Sequence, residues 1–180
     1  MPESTLILNA AAVRRALVRI AHEIAERNEV SKDVVLIGIQ RGGIILSQRL
    51  SAILTTIWGE TVPLGSLDVS MHRDDLDNRI TPNVYPTVIP FDVTGKTVVL
   101  VDDVLFRGRT VRSAMDALND FGRPQRIQLA VLIDRGHREL PIKPDFVGKN
   151  VPTAAAENIN VQLTESGSPE DSVRLERSPP

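Results

Sequence analysis

Apolar positions recur along the chain with two different spacings, and each spacing predicts one kind of secondary structure. Between residues 9 and 28 the apolar side chains recur every three or four positions, which predicts a helix with one buried face. Asn9 stands at its start and is suited to cap it. Val34–Ile39 is apolar throughout, as expected for a strand that is buried on both faces.

Apolar runs and helical patterns continue to alternate through most of the remaining chain. Strands that alternate with helices favour parallel pairing, because a crossover helix returns the chain for the next strand in the same direction. The predicted fold class is α/β, with a doubly wound, mostly parallel sheet and flanking helices. The further predicted helices are 44–57 and 110–121, and the further predicted strands are 62–71, 97–101, 126–133 and 145–147.

Two stretches show neither spacing. Residues 72–90 are polar, contain proline and predict a long loop, which in a compact domain usually serves as a lid or a binding segment. Residues 166–180 are rich in serine, proline and charge, and predict a disordered tail. Residues 1–165 are predicted to form a single domain.

The composition narrows the class of protein. Apolar residues make up 42% and charged residues 24% of the 180-residue chain, as in ordinary globular proteins. The chain has no apolar run of membrane-spanning length and no cysteine, and its first residues lack the layout of a secretory signal, so a cytoplasmic protein is expected. With a net charge of −2 and 3% aromatic residues, any nucleic-acid surface has to be a local patch.

The predicted strand 97–101 is followed by two acids, Asp102 and Asp103, and then by a Gly-Arg-Thr sequence at 108–110. In open parallel sheets, ligands bind beyond the carboxyl ends of the strands. A glycine lets the backbone approach an anion, a helix N-terminus supplies N–H donors, and Thr110 adds a hydroxyl group. Carboxylates would repel a bare phosphate, so the acid pair indicates a ligand that also carries ribose hydroxyls or Mg²⁺. The segment therefore predicts a site for a phosphorylated ribose.

Three other interpretations of this segment are weaker. An acid pair that only caps the next helix leaves the Gly-Arg-Thr sequence unexplained. A nucleotide hydrolase needs a phosphate loop, and Gly95-Lys96-Thr97 supplies only the end of one, because Pro90 stands where the first glycine belongs and a strand follows. A dinucleotide-binding fold requires a G-x-G-x-x-G sequence, which is absent.

Longer stretches resemble known proteins. The four apolar residues, two acids, short loop and Gly-Arg-Thr within residues 98–118 resemble the signature of type I phosphoribosyltransferases. The segments that match a narrower family are RRALVRIAHEIAERN (14–28), HRDDL (72–76), GRPQRIQLAVLIDRGHRELPI (122–142) and VGKNVPT (147–153). With them, the chain resembles the bifunctional pyrimidine operon regulators/uracil phosphoribosyltransferases, the PyrR family, from Leu6 to about Leu163.

This resemblance implies a type I phosphoribosyltransferase-like fold with a small hood formed by the terminal segments. It implies transfer of a phosphoribosyl group from phosphoribosyl pyrophosphate to uracil, which gives UMP and pyrophosphate. Asp102 and Asp103 would contact the ribose hydroxyls directly or through Mg²⁺, with Asp103 as the proton acceptor, and Arg73 in the lid would reach the pyrophosphate. The implied phosphate loop comprises Val104, Leu105, Phe106, Arg107, Gly108, Arg109 and Thr110.

Two loops of the implied active site depart from the family's pattern. The pyrophosphate loop is implied at Gln40, Arg41 and Gly42, but the family usually has Thr-Arg-Gly where this chain has Arg41-Gly42-Gly43. The basic residue has thus moved by one position. Arg107 stands where the family usually has threonine, and a bulky cation there either strengthens phosphate binding or crowds it.

The resemblance also implies contacts with uracil and RNA. Uracil or UMP would lie near Asp134 and Arg135, with Val161 contributed by the hood. Family members bind a stem-loop in the leader messenger RNA of their own operon, promoted by UMP, and thereby attenuate transcription. The implied RNA-binding residues are Arg15, Arg19, His22, Arg27, His137, Arg138 and Lys149.

Helical spacing places Arg15, Arg19 and His22 on one face, although basic faces of helices are usually only solvated. Val18, in addition, stands where the family often has threonine. Three hypotheses therefore stay open: a transferase that also regulates through RNA, a transferase without RNA control, and a nucleotide-sensing RNA-binding regulator with little catalysis. A homo-oligomer, as a dimer or a higher form, is also implied by the resemblance.

Overall fold

Helices and strands alternate along the chain in the computed structural model, which describes residues 3–29, 33–70 and 85–177. The helices are α1 (Ala10–Arg27), α2 (Gly42–Trp58) and α3 (Arg109–Leu118). The strands are β1 (Glu3–Leu8), β2 (Val34–Ile39), β3 (Leu64–Leu67), β4 (Thr97–Leu105), β5 (Arg126–Asp134), β6 (Phe146–Asn150), β7 (Glu157–Gln162) and β8 (Ser172–Arg177). One sheet is parallel, in the order β3-β2-β4-β5-β6, and the other is antiparallel, in the order β1-β8-β7.

The parallel sheet is covered on both faces, which explains why its central strands are apolar. Every residue of β2 is buried. Ile20 of α1 and Leu50 of α2 belong to one hydrophobic cluster, and Val111 and Leu118 of α3 belong to a second. Successive side chains of a strand point to opposite faces, so each strand contributes to both clusters. The predicted doubly wound α/β fold is confirmed.

The boundaries of α1 agree with the sequence pattern. Oδ1 of Asn9 accepts a hydrogen bond from the N–H of Ala12 at 2.9 Å, which is the predicted cap. In the part of the chain that the structure describes, none of the helices combines the length and the apolar character needed to cross a bilayer.

Several strands differ in length from their predictions, and two of the differences bear on the site. The second predicted strand, 62–71, contracts to β3. β4 extends past residue 101 to Leu105, because Asp102, Val104 and Leu105 still pair with β5. As a result, both acids lie inside the last part of a strand rather than in the loop behind it.

The prediction of a disordered tail at 166–180 is wrong for the residues described there. β8 lies between β1 and β7 and pairs with both strands. Val173 and Leu175 are buried, whereas the residues between and after them are more exposed, so half of the strand has the polar character of a tail. We call the sheet of β1, β7 and β8 the hood. Residues 178–180 lie outside the described residues.

Arg49 of α2 binds two acids in the segment between β7 and β8, and it thereby joins the hood to the part of the protein that contains the parallel sheet. Nε of Arg49 donates to Oε1 of Glu165 at 2.8 Å, and its Nη1 donates to Oδ2 of Asp171 at 2.6 Å. These hydrogen bonds lower the pKa of Glu165 to about 2 against the opposing effect of burial. They also lower the pKa of Asp171. Both carboxylates therefore stay ionised well into the acid range.

Arg49→Gln is expected to lower the free energy of unfolding by roughly 1 kcal/mol at neutral pH, a small value because 44% of the Glu165 side chain is exposed to screening water. Since the pKa of folded Glu165 lies near 2, below its ordinary 4.5, this contribution is present above about pH 4.5 and disappears as the pH falls toward 2. Urea unfolding at about pH 7 and about pH 2.5 compares the full contribution with one from which most has been lost.

The matched control is Arg177→Gln, which removes ion pairs to Glu3 and Glu157 from a side chain that is 51% exposed. We expect a smaller loss for this variant. A cost for Arg49→Gln that does not change between the two pH values would contradict the assignment.

Candidate active site

The acid pair and the predicted pyrophosphate loop meet at the carboxyl end of the parallel sheet. Asp102 and Asp103 lie near the end of β4, and α2 begins beside them at Gly42. A Cβ atom built on Gly42 would lie only 2.1 Å from Oδ2 of Asp103, so the Asp103 side chain occupies the space that a side chain at position 42 would fill. This edge is where ligands bind in sheets of this kind. Two parts of the predicted site that are far apart in the sequence are therefore neighbours.

The two carboxylates differ in exposure. Asp102 is buried, and its Oδ1 accepts a hydrogen bond from the N–H of Asp103 at 2.9 Å. Asp103 is half-buried, and its Oδ1 accepts from the N–H of Val104 at 2.8 Å. Because Oδ2 of Asp103 lies on the side of Gly42, Asp103 is the acid that faces the loop before α2.

The loop after β4 has the backbone geometry of an anion-binding turn. Gly108 has a φ of 94°, in the left-handed region that glycine adopts without a side-chain clash. α3 begins at the next residue, so Thr110 lies in its first turn, where backbone N–H groups have no acceptor within the helix. Such a turn attracts phosphate through these N–H groups and the helix dipole. The geometry is the one that the predicted phosphate site requires.

Residues 134–142 lie behind the phosphate loop and donate hydrogen bonds to the carbonyl groups of that loop; we call residues 134–142 the backing segment. Three successive loop carbonyls accept hydrogen bonds from it. The bonds run from Arg135 N to Leu105 O at 3.0 Å, from Arg138 Nη1 to Phe106 O at 2.7 Å, and from Glu139 N to Arg107 O at 3.0 Å.

The side chain of Arg107, the cation that departs from the family pattern, lies against this backing segment. Its Nε forms an ion pair with Oε1 of Glu139 at 2.9 Å, and its guanidinium lies 4.8 Å from the ring centroid of Phe106. Oε2 of Glu139 accepts from Nη2 of Arg109 at 3.1 Å. One carboxylate thus joins the two arginines of the phosphate loop.

The residues predicted to contact uracil fall into two groups. Asp134 and Arg135 line a cavity of about 330 Å³ between the ends of β5 and β6. Val161 is not among the described residues that line this cavity; it lies in β7 opposite Val173 and packs against the first hydrophobic cluster. The structure therefore brings two of the three predicted residues together. The cavity is lined by Asp134, Arg135, Gly136, His137, Asn150, Val151, Pro152 and Thr153.

The polar atoms of the two cavity residues already have partners within the protein. Oδ2 of Asp134 accepts from Nη2 of Arg138 at 2.6 Å. The guanidinium of Arg135 donates to Oγ1 of Thr153 at 3.0 Å and lies 4.0 Å from the ring centroid of Phe106. Burial lowers the pKa of Arg135 from its ordinary value. A base in this cavity would meet backbone groups more readily than these two charges.

The residues predicted to bind RNA also divide into two groups. All of them except Arg138 are exposed, and the ring of His137 is hydrogen-bonded to the carbonyl group of Thr153. Arg19 bonds to Glu23 and to the carbonyl groups of Val147 and Gly148, which ties α1 to β6, and Arg27 pairs with Asp145 at 3.0 Å. Arg138 points inward, toward the phosphate loop.

The predicted pyrophosphate loop is attached to the neighbouring strand. Gln40 and Arg41 are joined by a cis peptide bond, and the N–H of Gln40 donates to the carbonyl of Leu67 at 2.9 Å. The guanidinium of Arg41 lies 5.5 Å from the ring centroid of Tyr85, within the range of a cation–π contact. Arg73 and the predicted lid up to residue 84 lie outside the described residues, so both stay predictions.

The sequence pattern did not indicate Glu139, which joins the two arginines of the phosphate loop, or the inward direction of Arg138. A charge run such as Arg-Gly-His-Arg-Glu at 135–139 is usually a solvated surface. The signal that could have indicated these contacts is that residues 135–139 directly follow β5. Because β5 lies next to β4, the segment that follows it has to pass the phosphate loop.

Solved structures of known proteins share this fold. A purine phosphoribosyltransferase from Pyrococcus horikoshii is 27% identical, with a TM-score of 0.61, covering 81% of this chain and 85% of the other. The hypoxanthine phosphoribosyltransferase from Trypanosoma cruzi, solved with its product IMP, has a TM-score of 0.70 at 17% identity and covers 98% of this chain and 91% of its own. The likeness to the second structure shows the fold alone.

Sequence comparisons are more specific. Residues 6–165 match the family model of the phosphoribosyl transferase domain. A bifunctional protein PyrR from Chloroflexus aurantiacus is 58% identical and covers 96% of this chain and 95% of the relative. One from Listeria welshimeri is 51% identical over 99% of this chain and 100% of its own length. The chain therefore belongs to the phosphoribosyl transferase family and, within it, to the bifunctional PyrR proteins.

Proposed function

We propose that this protein transfers the phosphoribosyl group of phosphoribosyl pyrophosphate to N1 of uracil, which releases pyrophosphate and gives UMP. The observation that carries the proposal is the position of Asp103. Its Oδ2 lies on the side of Gly42 and the pyrophosphate loop, and its backbone continues directly into the phosphate loop. A ribose bound between the two loops would have its 5-phosphate on one side and its pyrophosphate on the other. The family membership agrees with this arrangement.

The role of each group in the site follows from the charge that develops on the ribose and the pyrophosphate during the reaction. The C1–oxygen bond to pyrophosphate breaks as the bond from N1 of uracil to C1 forms, and the ribose carries positive charge in between. Backbone N–H groups of the phosphate loop would hold the 5-phosphate, and Oδ2 of Asp103 would accept the proton that N1 of uracil loses as its bond to C1 forms. Preorganised groups of this kind act without reorganising during the reaction.

Mg²⁺ is the cofactor that we propose. Within residues 3–29, 33–70 and 85–177, no group of three or more histidine, aspartate or glutamate side chains is arranged to hold a metal by itself. Mg²⁺ usually binds through one or two carboxylates together with substrate oxygens, which suits Asp102 and Asp103. When bound, it would supply positive charge to the departing pyrophosphate.

The test of the transferase is the release of pyrophosphate from phosphoribosyl pyrophosphate and Mg²⁺ with a series of bases. Uracil is expected to support turnover, and cytosine, hypoxanthine and guanine are expected to support little. Turnover with a purine instead would replace the proposed base. Binding of UMP without any uracil-dependent turnover would favour a nucleotide-sensing regulator.

We also propose that the protein attenuates transcription of the pyrimidine operon by binding its leader messenger RNA in the presence of UMP. Arg15 and His22 on α1 and Lys149 on β6 are exposed, and Arg19 joins these two elements by its hydrogen bonds to β6. Basic side chains on two adjoining elements form the local patch that a chain of nearly neutral charge requires. Contacts of this kind are to phosphates and are sensitive to salt.

Gel shifts on the gene's own leader RNA, with and without UMP, test this surface. His22→Ala and Lys149→Ala are each expected to weaken UMP-dependent binding by roughly fivefold to tenfold, because each removes one polar contact. Arg123→Ala is the control, because Arg123 is exposed near the amino ends of the parallel strands. Unchanged binding in both variants would remove this surface from the proposal.

The remaining proposed partners follow from these two activities. A protein that meets uracil, UMP and a nascent messenger RNA acts in the cytoplasm. We further propose a homo-oligomer of two or more copies, as the resemblance implies. Light scattering of the purified protein measures its mass directly.

A further inference from the structure

The strongest unassigned feature is the set of hydrogen bonds from the backing segment to the phosphate loop. The carbonyl groups of three consecutive residues, from Leu105 to Arg107, all accept from residues 135–139. A loop on the surface usually leaves such carbonyl groups to water. Here one short segment supplies three donors in the order of the chain.

Peptide geometry gives these bonds a consequence for ligand binding. In a trans peptide the carbonyl group of one residue and the N–H of the next point in opposite directions. Fixing the carbonyl groups of Leu105, Phe106 and Arg107 therefore fixes the N–H groups of residues 106–108 toward the other side. That side is where the 5-phosphate would be held. The backing segment thus orients phosphate donors that it does not touch.

Arg138 is the one side chain that makes such a bond, and all arms of its guanidinium are engaged. Nη1 donates to the carbonyl of Phe106 at 2.7 Å, Nη2 donates to Oδ2 of Asp134 at 2.6 Å, and Nε donates to the carbonyl of Ile142 at 2.9 Å. Only 22% of the side chain is exposed. A rigid planar fork can satisfy three acceptors at once, whereas an ammonium group cannot reproduce that geometry.

Ion pairs and aromatic contacts in the same region also restrain the phosphate loop. Glu139 bridges Arg107 and Arg109, so both loop arginines are held on the side of the backing segment. The ring of Phe106 contacts the guanidinium groups of Arg107 and Arg135. These contacts limit the orientations that the loop around Phe106 can adopt, and Arg138 fixes the central peptide among them.

We propose that Arg138 is a positioning residue for the phosphate loop, which acts on the 5-phosphate of the substrate through the carbonyl of Phe106. This inference rests on the part of the proposed function in which residues 104–110 bind the ribose 5-phosphate. It differs from a direct contact with RNA, the role that resemblance alone implies for Arg138. Any dependence of RNA binding on Arg138 then follows from its effect on UMP.

The experiment measures the equilibrium binding of phosphoribosyl pyrophosphate with Mg²⁺, and of UMP, to wild type and to Arg138→Gln. We expect the dissociation constants of both ligands to rise about tenfold, as for the loss of a charge-assisted hydrogen bond, while kcat changes much less than KM. Arg138→Lys keeps a cation beside Asp134 and is expected to recover part of the loss. Lys143→Gln, an exposed cation next to the backing segment, is expected to bind both ligands as wild type does.

Gel shifts with the leader RNA separate the two roles. If Arg138 positions the loop, the RNA binding lost in Arg138→Gln returns when the concentration of UMP is raised to saturate the variant. If RNA binding stays lost at saturating UMP, and both ligands bind within twofold of wild type, the proposal is overturned in favour of a direct contact. Should Arg138→Gln not fold, the same measurements on Arg138→Lys decide.

The test of Arg138 does not depend on which base the enzyme uses. A wild type that binds phosphoribosyl pyrophosphate but does not use uracil would refute the proposed acceptor, and the binding comparison would still test Arg138. Unchanged binding in a folded Arg138→Gln, with a wild type active on uracil, would refute the role of Arg138 alone.

Discussion

Gly42→Ala is expected to reduce uracil-dependent turnover at least about 100-fold, because a displaced catalytic group costs about that much. The added Cβ would lie 2.1 Å from Oδ2 and 2.3 Å from Cγ of Asp103. The backbone of Gly42 is outside the left-handed region, so alanine meets no penalty in φ. Oδ2 and Cγ of Asp103 can rotate away, and the remaining contact, 2.9 Å to the Cβ of Asp103, is relieved by a small shift at the start of α2, so the fold survives. The carboxylate then no longer faces the ligand.

The measurement is kcat/KM for pyrophosphate release, together with the midpoint of thermal unfolding. Gly95→Ala serves as the matched control: its Cβ would meet nothing within 4 Å, but its φ of 74° strains any other residue. That variant is expected to lose about 1 kcal/mol of stability and to keep its activity. If Gly42→Ala retained more than about a tenth of wild-type turnover, Asp103 would not be the group that the loop positions.

The position of Gly42 also explains one departure from the family's pattern. The family usually carries arginine at this position, and here that side chain comes from Arg41 instead. Gly42 leaves its space to the carboxylate of Asp103, while Arg41 lies over the ring of Tyr85. Arg41 therefore lies beside the predicted lid, and the Asp103 side chain fills the space next to Gly42.

Local pattern was sufficient to predict the parts of the fold that are local. β2 has the bounds that its apolar run predicts, and Asn9 caps α1 as its position before the helix predicts. The acid pair and the glycine at 108 were identified because a phosphate-binding turn has a short sequence signature. These features depend on residues that are close together in the chain.

The resemblance implied a hood formed by the terminal segments, but the strands of the hood were not predicted from the sequence pattern, because they pair with partners from opposite ends of the chain. Leu6 of β1 pairs with Arg174 of β8, and β8 then pairs with β7. A strand that is polar on one face and lies within a serine-rich segment shows no pattern of its own until the partner is known. The same reason applies to Arg138, since a hydrogen bond to the carbonyl of Phe106 has no local signature.

Gly43→Ala is expected to have the largest effect on stability, although it differs from Gly42→Ala by a single position. Its added Cβ would lie 2.0 Å from the carbonyl oxygen of Val101 and 3.1 Å from the Cα of Asp102. Both are backbone atoms of a central strand, so neither can rotate away, and the start of α2 has to move off the sheet. We expect a loss of about 3 kcal/mol in the free energy of unfolding, the upper part of the range for overpacking.

For a chain of this size, that loss corresponds to a fall in the unfolding midpoint of about 6–12 °C. Urea unfolding of both variants against wild type measures it, with Gly42→Ala as the control whose clash is with a side chain. A loss below about 1 kcal/mol for Gly43→Ala would mean that α2 can shift on the sheet at little cost. We expect Gly42→Ala to lose mainly activity and Gly43→Ala to lose mainly stability. That pair of results would show that the backbone of β4 holds the start of α2 in place, and that Gly42 is needed for the orientation of Asp103.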